Sequence, residues 1–383
     1  MSAPGQLVAF VTLAFSGFAC ALDLSAQANP VGEFQVQEVW STEGKEVAGG
    51  LTAIAGLVEA GDGRIWMVDL WGAAGRVLVL DPATMIATVI GQAGDGPGEV
   101  RIPAHMTVTP DGGVAVLDAG RSAIEIYEGS GAPVHRVQLQ EPILGHRGFA
   151  ALASGGYVVT GYLRSSGSAV HYFDPNGGLI LGWSEHPVVP GAPLAGSPWR
   201  NNLERDAAMA QIATTGGWVH ARPDGSFLYS QAAPHKIVHF EASSPPGNGW
   251  VERPLVSMLD LFEAPGLKTL EYTKLDDGQT SVGYDMTWPR SGAVFEMSSG
   301  YILNVVIMEQ EDRSLWQVFE PLDAVGTSGA ALVMEASVDR VYTPWFLCEN
   351  GDVLATVTNP ATGVDHAVRL RLGGIPSRGV GSR

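Results

Sequence analysis

A turn motif that recurs six times is the feature that most constrains how this chain can fold. A small polar residue followed by glycine precedes a short apolar run, as in "DGRIWMVD" and "DGGVAVLD". Each motif also follows an apolar stretch, and glycine tolerates the positive φ that a tight two-residue turn requires. The pattern therefore predicts six β-hairpins, with turns at Asp62, Asp111, Ser154, Asp224, Ser299 and Asn350.

Two further strand patterns follow most of these hairpins. The third strand usually ends in an acidic residue, as in "RVLVLD", "AIEIYE" and "LWQVFE", and a shorter fourth strand comes next. Successive units start 49, 43, 70, 75 and 51 residues apart. Four antiparallel strands repeated six times predict an all-β, six-bladed β-propeller. Because the last unit lacks a fourth strand, we expect residues 34–40, "FQVQEVW", to close the ring as the outer strand of blade six.

Composition narrows the possible partners. With 45% hydrophobic and 16% charged residues, the chain can bury a large core. The formal net charge of −18 argues against nucleic acid as a partner, because phosphate binding requires clustered Lys and Arg.

The amino-terminal segment predicts export. Residues 7–22 are apolar, and Ala26-Gln27-Ala28 offers a small-residue cleavage site. We therefore expect residues 1–28 to be a signal peptide, 29–373 the propeller and 374–383 a disordered tail. The mature chain would be secreted or periplasmic without a membrane span. The segment before the apolar run has no Lys or Arg, so lipidation at Cys20 and an uncleaved anchor are the alternatives.

The second repeat is similar to a known family. Residues 94–131, "GDGPGEVRIPAHMTVTPDGGVAVLDAGRSAIEIYEGSG", resemble an NHL-type repeat, and the first repeat fits the same pattern. The resemblance implies the propeller fold but leaves function open, since NHL-like propellers serve as binding platforms, lyases and hydrolases.

The glycine-rich stretch "GQAGDGPGEVRIP", residues 91–103, is then the connector between blades one and two. It lacks the Gly-Lys-Ser/Thr of a phosphate-binding P-loop. A nest of backbone N–H groups around residues 94–98 that binds an anion is the alternative interpretation.

The predicted topology gives the propeller two unlike faces. The Asp-Gly turns lie on the bottom, and the connectors between blades lie on the top. Long connectors near residues 187–215 and 256–290 decorate this top face, with helical patterns at 203–212 and on both sides of Pro265. Long insertions on one face of a repeat scaffold are usually where ligands bind.

Arg and Trp on the top connectors, with His at the channel mouth, are the candidate ligand-binding residues. Guanidinium groups and aromatic rings suit planar or anionic ligands. The alternative is that the arginines are solvated and the tryptophans pack between blades. The candidates are Trp71, His105, Arg121, His146, Arg147, Arg164, Trp199, Arg200 and Arg313.

Two metal-dependent activities are alternatives to pure binding. Gluconolactonase-like propellers hold a divalent cation with carboxylates of the upper inner strands, where this chain has none. Amidating-lyase-like propellers hold zinc with three histidines. The candidates here are His105, His146 and His220, whose predicted heights along the strands differ too much for Zn–N bonds of ~2 Å.

The sequence thus predicts a non-catalytic propeller without a cofactor. Its expected partner is a protein, peptide, glycan or small molecule on the top face. A lyase or hydrolase that uses zinc or calcium is the alternative. Asp69 and Asp118, which end second strands, are expected to bond connector backbone rather than to act as acid or base.

Overall fold

The structure, a computed structural model, consists of six four-stranded antiparallel sheets and one two-stranded hairpin in its described residues. It describes residues 35–70, 75–163, 165–185, 217–231, 235–242, 250–257, 268–274, 280–285, 290–309, 315–323, 332–336, 341–359 and 362–373. The six sheets are the blades of a propeller, as the sequence predicts.

The first three blades each use four consecutive strands. Blade one contains β2 (Ile54–Glu59), β3 (Ile65–Asp69), β4 (Arg76–Asp81) and β5 (Ile86–Gly91). Blade two contains β6 (Pro103–Val108), β7 (Val114–Asp118), β8 (Ala123–Tyr127) and β9 (Pro133–Gln138). Blade three contains β10 (Phe149–Ala151), β11 (Tyr157–Thr160), β12 (Ser168–Phe173) and β13 (Leu179–Glu185).

The last three blades include the ring closure. Blade four contains β14 (Trp218–Ala221), β15 (Phe227–Gln231), β16 (Lys236–Ala242) and β17 (Trp250–Leu255). Blade five contains β20 (Arg290–Glu296), β21 (Ile302–Glu309), β22 (Leu315–Leu322) and β23 (Leu332–Ala336). Blade six contains β24 (Tyr342–Leu347), β25 (Val353–Asn359), β26 (Val364–Gly373) and the amino-terminal β1 (Gln35–Ser41).

Strand β1 closes the ring, which confirms the prediction for residues 34–40. It pairs antiparallel with β26, from Gln35 opposite Gly373 to Ser41 opposite Val368. Thr42 continues the contact, since the Ala367 N–H donates to Thr42 Oγ1 at 2.9 Å and Thr42 N–H donates to Ala367 O. The outer edge of β26 is therefore covered by the other end of the propeller chain.

The six predicted turns also form. The glycine of each motif has a φ between 80° and 89°, a backbone conformation that residues with a Cβ rarely adopt. The six glycines are Gly63, Gly112, Gly155, Gly225, Gly300 and Gly351. These turns join the inner strand of each blade to its second strand and define the lower face.

The core lies between neighbouring blades. Trp66 of blade one meets Tyr127 of blade two edge to face, with ring centroids 5.8 Å apart, and both are fully buried. Second strands are buried along their whole length in blades one to four, whereas fourth strands expose large side chains such as Ile86 and Val134. Packing of adjacent sheets therefore holds the ring, and the outer rim contributes least.

One local prediction was wrong. Of the insertion near 256–290, the part predicted as helix after Pro265 contains β18 (Lys268–Lys274) and β19 (Thr280–Asp285), which pair as a hairpin. The alternating pattern "KTLEYTK", followed by an Asp-Gly turn sequence, is the strand signal that outweighed the helical spacing. The helix predicted at 203–212 lies outside the described residues. Within the described ranges, no helix is long and apolar enough to cross a membrane.

Candidate functional site

The glycine-rich connector between blades one and two folds onto its own acidic side chains. The Glu99 carboxylate accepts a hydrogen bond from the Gly96 N–H at 2.7 Å, and a side chain at Gly94 would collide with this carboxylate. Glu99 thus occupies the concave side of the loop where an external anion was the alternative. The stretch is a structural connector, as the preferred interpretation of the sequence states.

Asp69 and Asp118 fasten the connectors that lead into the inner strands. Asp69 Oδ1 accepts hydrogen bonds from the Ala53 N–H at 3.1 Å and from the Thr52 hydroxyl at 2.7 Å. Asp118 accepts from the N–H groups of Arg101 and Ile102, both at 2.9 Å. Both carboxylates are fully buried. The prediction that they bond connector backbone is confirmed.

Arg121, a candidate ligand-binding residue, takes part in the contacts that hold the connector beside Asp118. Its side chain is only 7% exposed and lies 3.2 Å from Asp118 and 2.9 Å from Asp95. It also donates to the Glu99 carbonyl. The guanidinium therefore ties the end of the second strand of blade two to the connector, and it has little surface left for a ligand.

The remaining top-face candidates divide into two groups. His105 lies on the inner strand of blade two, while His146 and the exposed Arg147 precede the inner strand of blade three. The other five lie outside the described residues, so their role stays a prediction. They are Trp71, Arg164, Trp199, Arg200 and Arg313.

His105 and His146 are neighbours in the ring. Their centroids are 5.2 Å apart, and His105 Nε2 donates to the His146 carbonyl at 3.2 Å. Because a carbonyl only accepts, this contact fixes the proton of neutral His105 on Nε2. Burial lowers the pKa of His105 to about 3, and it also lowers the pKa of His146. Both side chains are neutral at pH 7.

His220 does not complete a metal site with these two. It packs edge to face on Phe295, with centroids 5.7 Å apart, and burial lowers its pKa to about 4. Over the described ranges, no three His, Cys, Asp or Glu side chains come together in a group that could hold a metal ion. The three-histidine arrangement considered from the sequence thus has two neighbouring members at most.

An axial cavity of about 140 Å³ lies where the inner strands converge. Every blade contributes to its wall, and nearly half of the lining residues carry an aromatic or imidazole ring. Trp218 of blade four and Trp345 of blade six meet edge to face, with ring centroids 5.6 Å apart, and the Trp345 ring centroid lies 5.8 Å from that of His105. One side chain from each blade, in order, is Val58, His105, Phe149, Trp218, Phe295 and Trp345.

A larger recess of about 450 Å³ opens among the turns of blades one, two and six on the lower face. Val108 and Phe346 line both this recess and the axial cavity, so the two spaces adjoin, and we call the recess the lower mouth. Its polar wall includes Glu59, Arg369 and Glu349. The lower mouth was not among the sites predicted from the sequence.

Comparisons with known proteins find similarity to solved structures at low sequence identity. No protein-family model matches the chain, and a sequence search of curated proteins finds no match. A solved streptogramin B lyase is similar over 89% of this chain and 98% of its own, at 11% identity and a TM-score of 0.45. A putative gluconolactonase matches over 90% and 94%, at 10% identity and a TM-score of 0.47. A DUF4221 family member from Bacteroides vulgatus matches over 89% and 97%, at 7% identity and a TM-score of 0.48.

Proposed function

We propose that this protein is an exported, non-catalytic binding propeller of the NHL-like kind, whose ligand site is the axial cavity. The observation that carries the proposal is the axial cavity, to which all six blades contribute side chains. The NHL-like assignment is supported by the two repeats that fit the pattern, and export by the apolar segment at residues 7–22.

The size and wall of the cavity indicate what it could hold. A volume of about 140 Å³ is close to that of engineered apolar protein cavities of ~150 Å³ that bind benzene. Indole rings of Trp218 and Trp345 offer faces and edges for another aromatic ring. We therefore expect a ligand with one planar ring.

His105 and His220, the two histidines that line the axial cavity, are better suited to ligand binding than to acid–base catalysis. A general acid or base works best with a pKa near the operating pH. Burial holds the pKa of His105 at about 3 and that of His220 at about 4, far below neutrality. Neutral imidazoles in such a wall can orient a ligand by hydrogen bonding and ring contact.

The test uses phenol as a ring-sized probe and ligand-observed NMR on the purified mature chain. Ala221 lines the cavity, so Ala221→Leu should fill it and abolish phenol binding. Ala132→Leu, on the exposed turn before β9, adds the same atoms elsewhere and should leave binding unchanged. If phenol binds Ala221→Leu as well as the unchanged protein, the channel is not the site.

Metal analysis of the same preparation tests the enzymatic alternative. Stoichiometric zinc or calcium that is lost on His105→Ala and His146→Ala substitution would favour a metal-dependent lyase or hydrolase. The expected result is no metal that depends on these two histidines.

A further inference from the structure

The lower mouth of the channel is large enough to hold the part of a ligand that the axial cavity cannot. Small-molecule sites usually measure about 300–1,000 Å³. The recess, at about 450 Å³, falls in this range, whereas the axial cavity of about 140 Å³ accommodates one ring. Val108 and Phe346 line both spaces, so the cavity and the recess adjoin, as a ligand that occupies both would require.

The polar wall of the recess contains one carboxylate whose charge is balanced by an ion pair with an arginine. Glu59 Oε1 lies 2.6 Å from Arg369 Nη2, and both side chains are less than one-fifth exposed. Burial, and then a hydrogen bond to Glu59, raise the pKa of the Cys348 thiol, so the thiol stays protonated at pH 7. Arg369 is therefore engaged and is poorly placed to bind an additional anionic group.

Glu349 gives the recess its net charge. Its side chain is exposed at the recess wall. In the part of the chain that the structure describes, it makes no hydrogen bond or ion pair. With Glu59 and Arg369 cancelling, Glu349 leaves this mouth with one negative charge. Phe346 lies in the same wall, and the face of an aromatic ring attracts a cation.

We propose that the ligand is an aromatic amine, with its ring in the axial cavity and its ammonium group in the lower recess against Glu349. This inference rests on the proposed function, because it requires the channel to bind a ring. It adds the charge of the ligand and the face from which it enters. The top-face connectors are not needed for this binding.

The experiment compares three probes of similar shape on the full mature chain at pH 7 and low salt. They are phenethylamine (cationic), 2-phenylethanol (neutral) and 3-phenylpropionate (anionic), with dissociation constants measured by ligand-observed NMR titration. One ion pair at a partly exposed site should make phenethylamine bind about tenfold more tightly than 2-phenylethanol. The anionic probe should bind most weakly.

Two charge variants locate the effect. Glu349→Gln should remove the preference for phenethylamine and leave 2-phenylethanol binding unchanged. Glu128→Gln, an exposed carboxylate at the lower end of the third strand of blade two, removes the same charge and should keep the preference. If Glu349→Gln retains the tenfold ratio, the ammonium does not lie at this residue and the inference is wrong.

The outcomes separate the two proposals. Equal binding of phenethylamine and 2-phenylethanol, abolished by Ala221→Leu, would overturn the ammonium assignment and leave the channel site standing. Failure of phenol and of all three probes to bind would overturn the channel site, and the inference with it.

Discussion

Blades two and five each bury a carboxylate, but they satisfy it with different donors. In blade two, Asp118 accepts three backbone N–H groups, from Arg101, Ile102 and Gly120, at 2.9–3.1 Å. In blade five, the donors to Glu320 include two side chains, the Ser257 hydroxyl at 2.6 Å and the Asn304 amide at 3.0 Å. Both carboxylates are fully buried.

The difference shows two ways to hold a repeat in place. Backbone donors are fixed, so Asp118 dictates the path of the connector into its own blade. Side-chain donors can turn, and Ser257 follows the last strand of blade four, so Glu320 joins neighbouring blades instead. The blades that resemble the NHL pattern, one and two, are the ones with the backbone-bound Asp at the end of the second strand.

Acid should produce the largest loss of stability, because a histidine that is neutral when folded lies in blade two and another packs against blade five. His105 lies in blade two, and His220 packs on Phe295 of blade five. Their pKa values, about 3 and about 4 in the folded protein, rise to the ordinary value of 6.5 on unfolding. The unfolded chain then binds more protons, so stability present above pH 6.5 is lost as the pH falls toward 4.

The loss should reach about 2 kcal/mol per histidine between pH 7 and pH 5. Urea unfolding at a series of pH values measures it. His105→Phe and His220→Phe should each remove the part of the pH-dependent stability loss that the replaced histidine contributes. An unchanged pH profile in either variant would mean that the histidine concerned binds protons equally well in the folded and the unfolded protein, and that the two blades respond to acid differently.

Asp118→Asn should destabilise by about 3 kcal/mol. The amide places an NH₂ group against backbone donors that cannot turn away, and Arg121 loses one of its carboxylate partners. Denaturant unfolding gives the change in free energy. Asp81→Asn, at the half-buried end of β4, should change little, because its donors, the Ala83 and Thr84 N–H groups, lie in an exposed turn where water can replace the carboxylate.

Glu320→Gln is the counterpart in blade five and should cost about 1 kcal/mol. The Ser257 hydroxyl can rotate to accept from the new amide, so less hydrogen bonding is lost. The same unfolding measurement applies. Equal losses for Glu320→Gln and Asp118→Asn would contradict the distinction between fixed and adjustable donors.

Gly112→Ala should have an effect of about the same size as Glu320→Gln, and it tests the turns that the blades share. Gly112 has a φ of 84° with open space around the position of a Cβ, so the cost is backbone strain alone. We expect about 1 kcal/mol. Gly61 also has open space but lacks a left-handed φ, so Gly61→Ala should leave the thermal midpoint unchanged. Equal midpoints for both variants would remove the backbone explanation.

Much of the scaffold could be predicted from the sequence because patterns of neighbouring residues determine its strands and turns. Turn glycines, alternating strands and the missing fourth strand of the last unit are all local signals, and they specify the blades and their closure. The Asp69 and Asp118 contacts follow as well, because each side chain ends a strand beside the connector it binds.

The site was less predictable because it depends on contacts between distant segments. Arg121 was expected to be free for a ligand, but Asp95, 26 positions away, turns toward it. Trp218 and Trp345 come from blades four and six, and no local pattern distinguishes a tryptophan in the channel from one between blades. Glu349 follows an inner strand that the sequence does locate, but the recess beside it depends on three blades together.

The pairing of β1 with β26 also has a consequence for the order of folding. The hydrogen bond between Ala367 and Thr42 joins residues 325 positions apart, so the ring cannot close until nearly the whole chain has been synthesised. Until then, β1 lacks its partner, and the first blade has no neighbour on one side. Closure over so long a separation is slow, and an unpaired strand can associate with another chain. Chains interrupted before β26 should therefore aggregate through β1, and removing β1 from such fragments should keep them soluble.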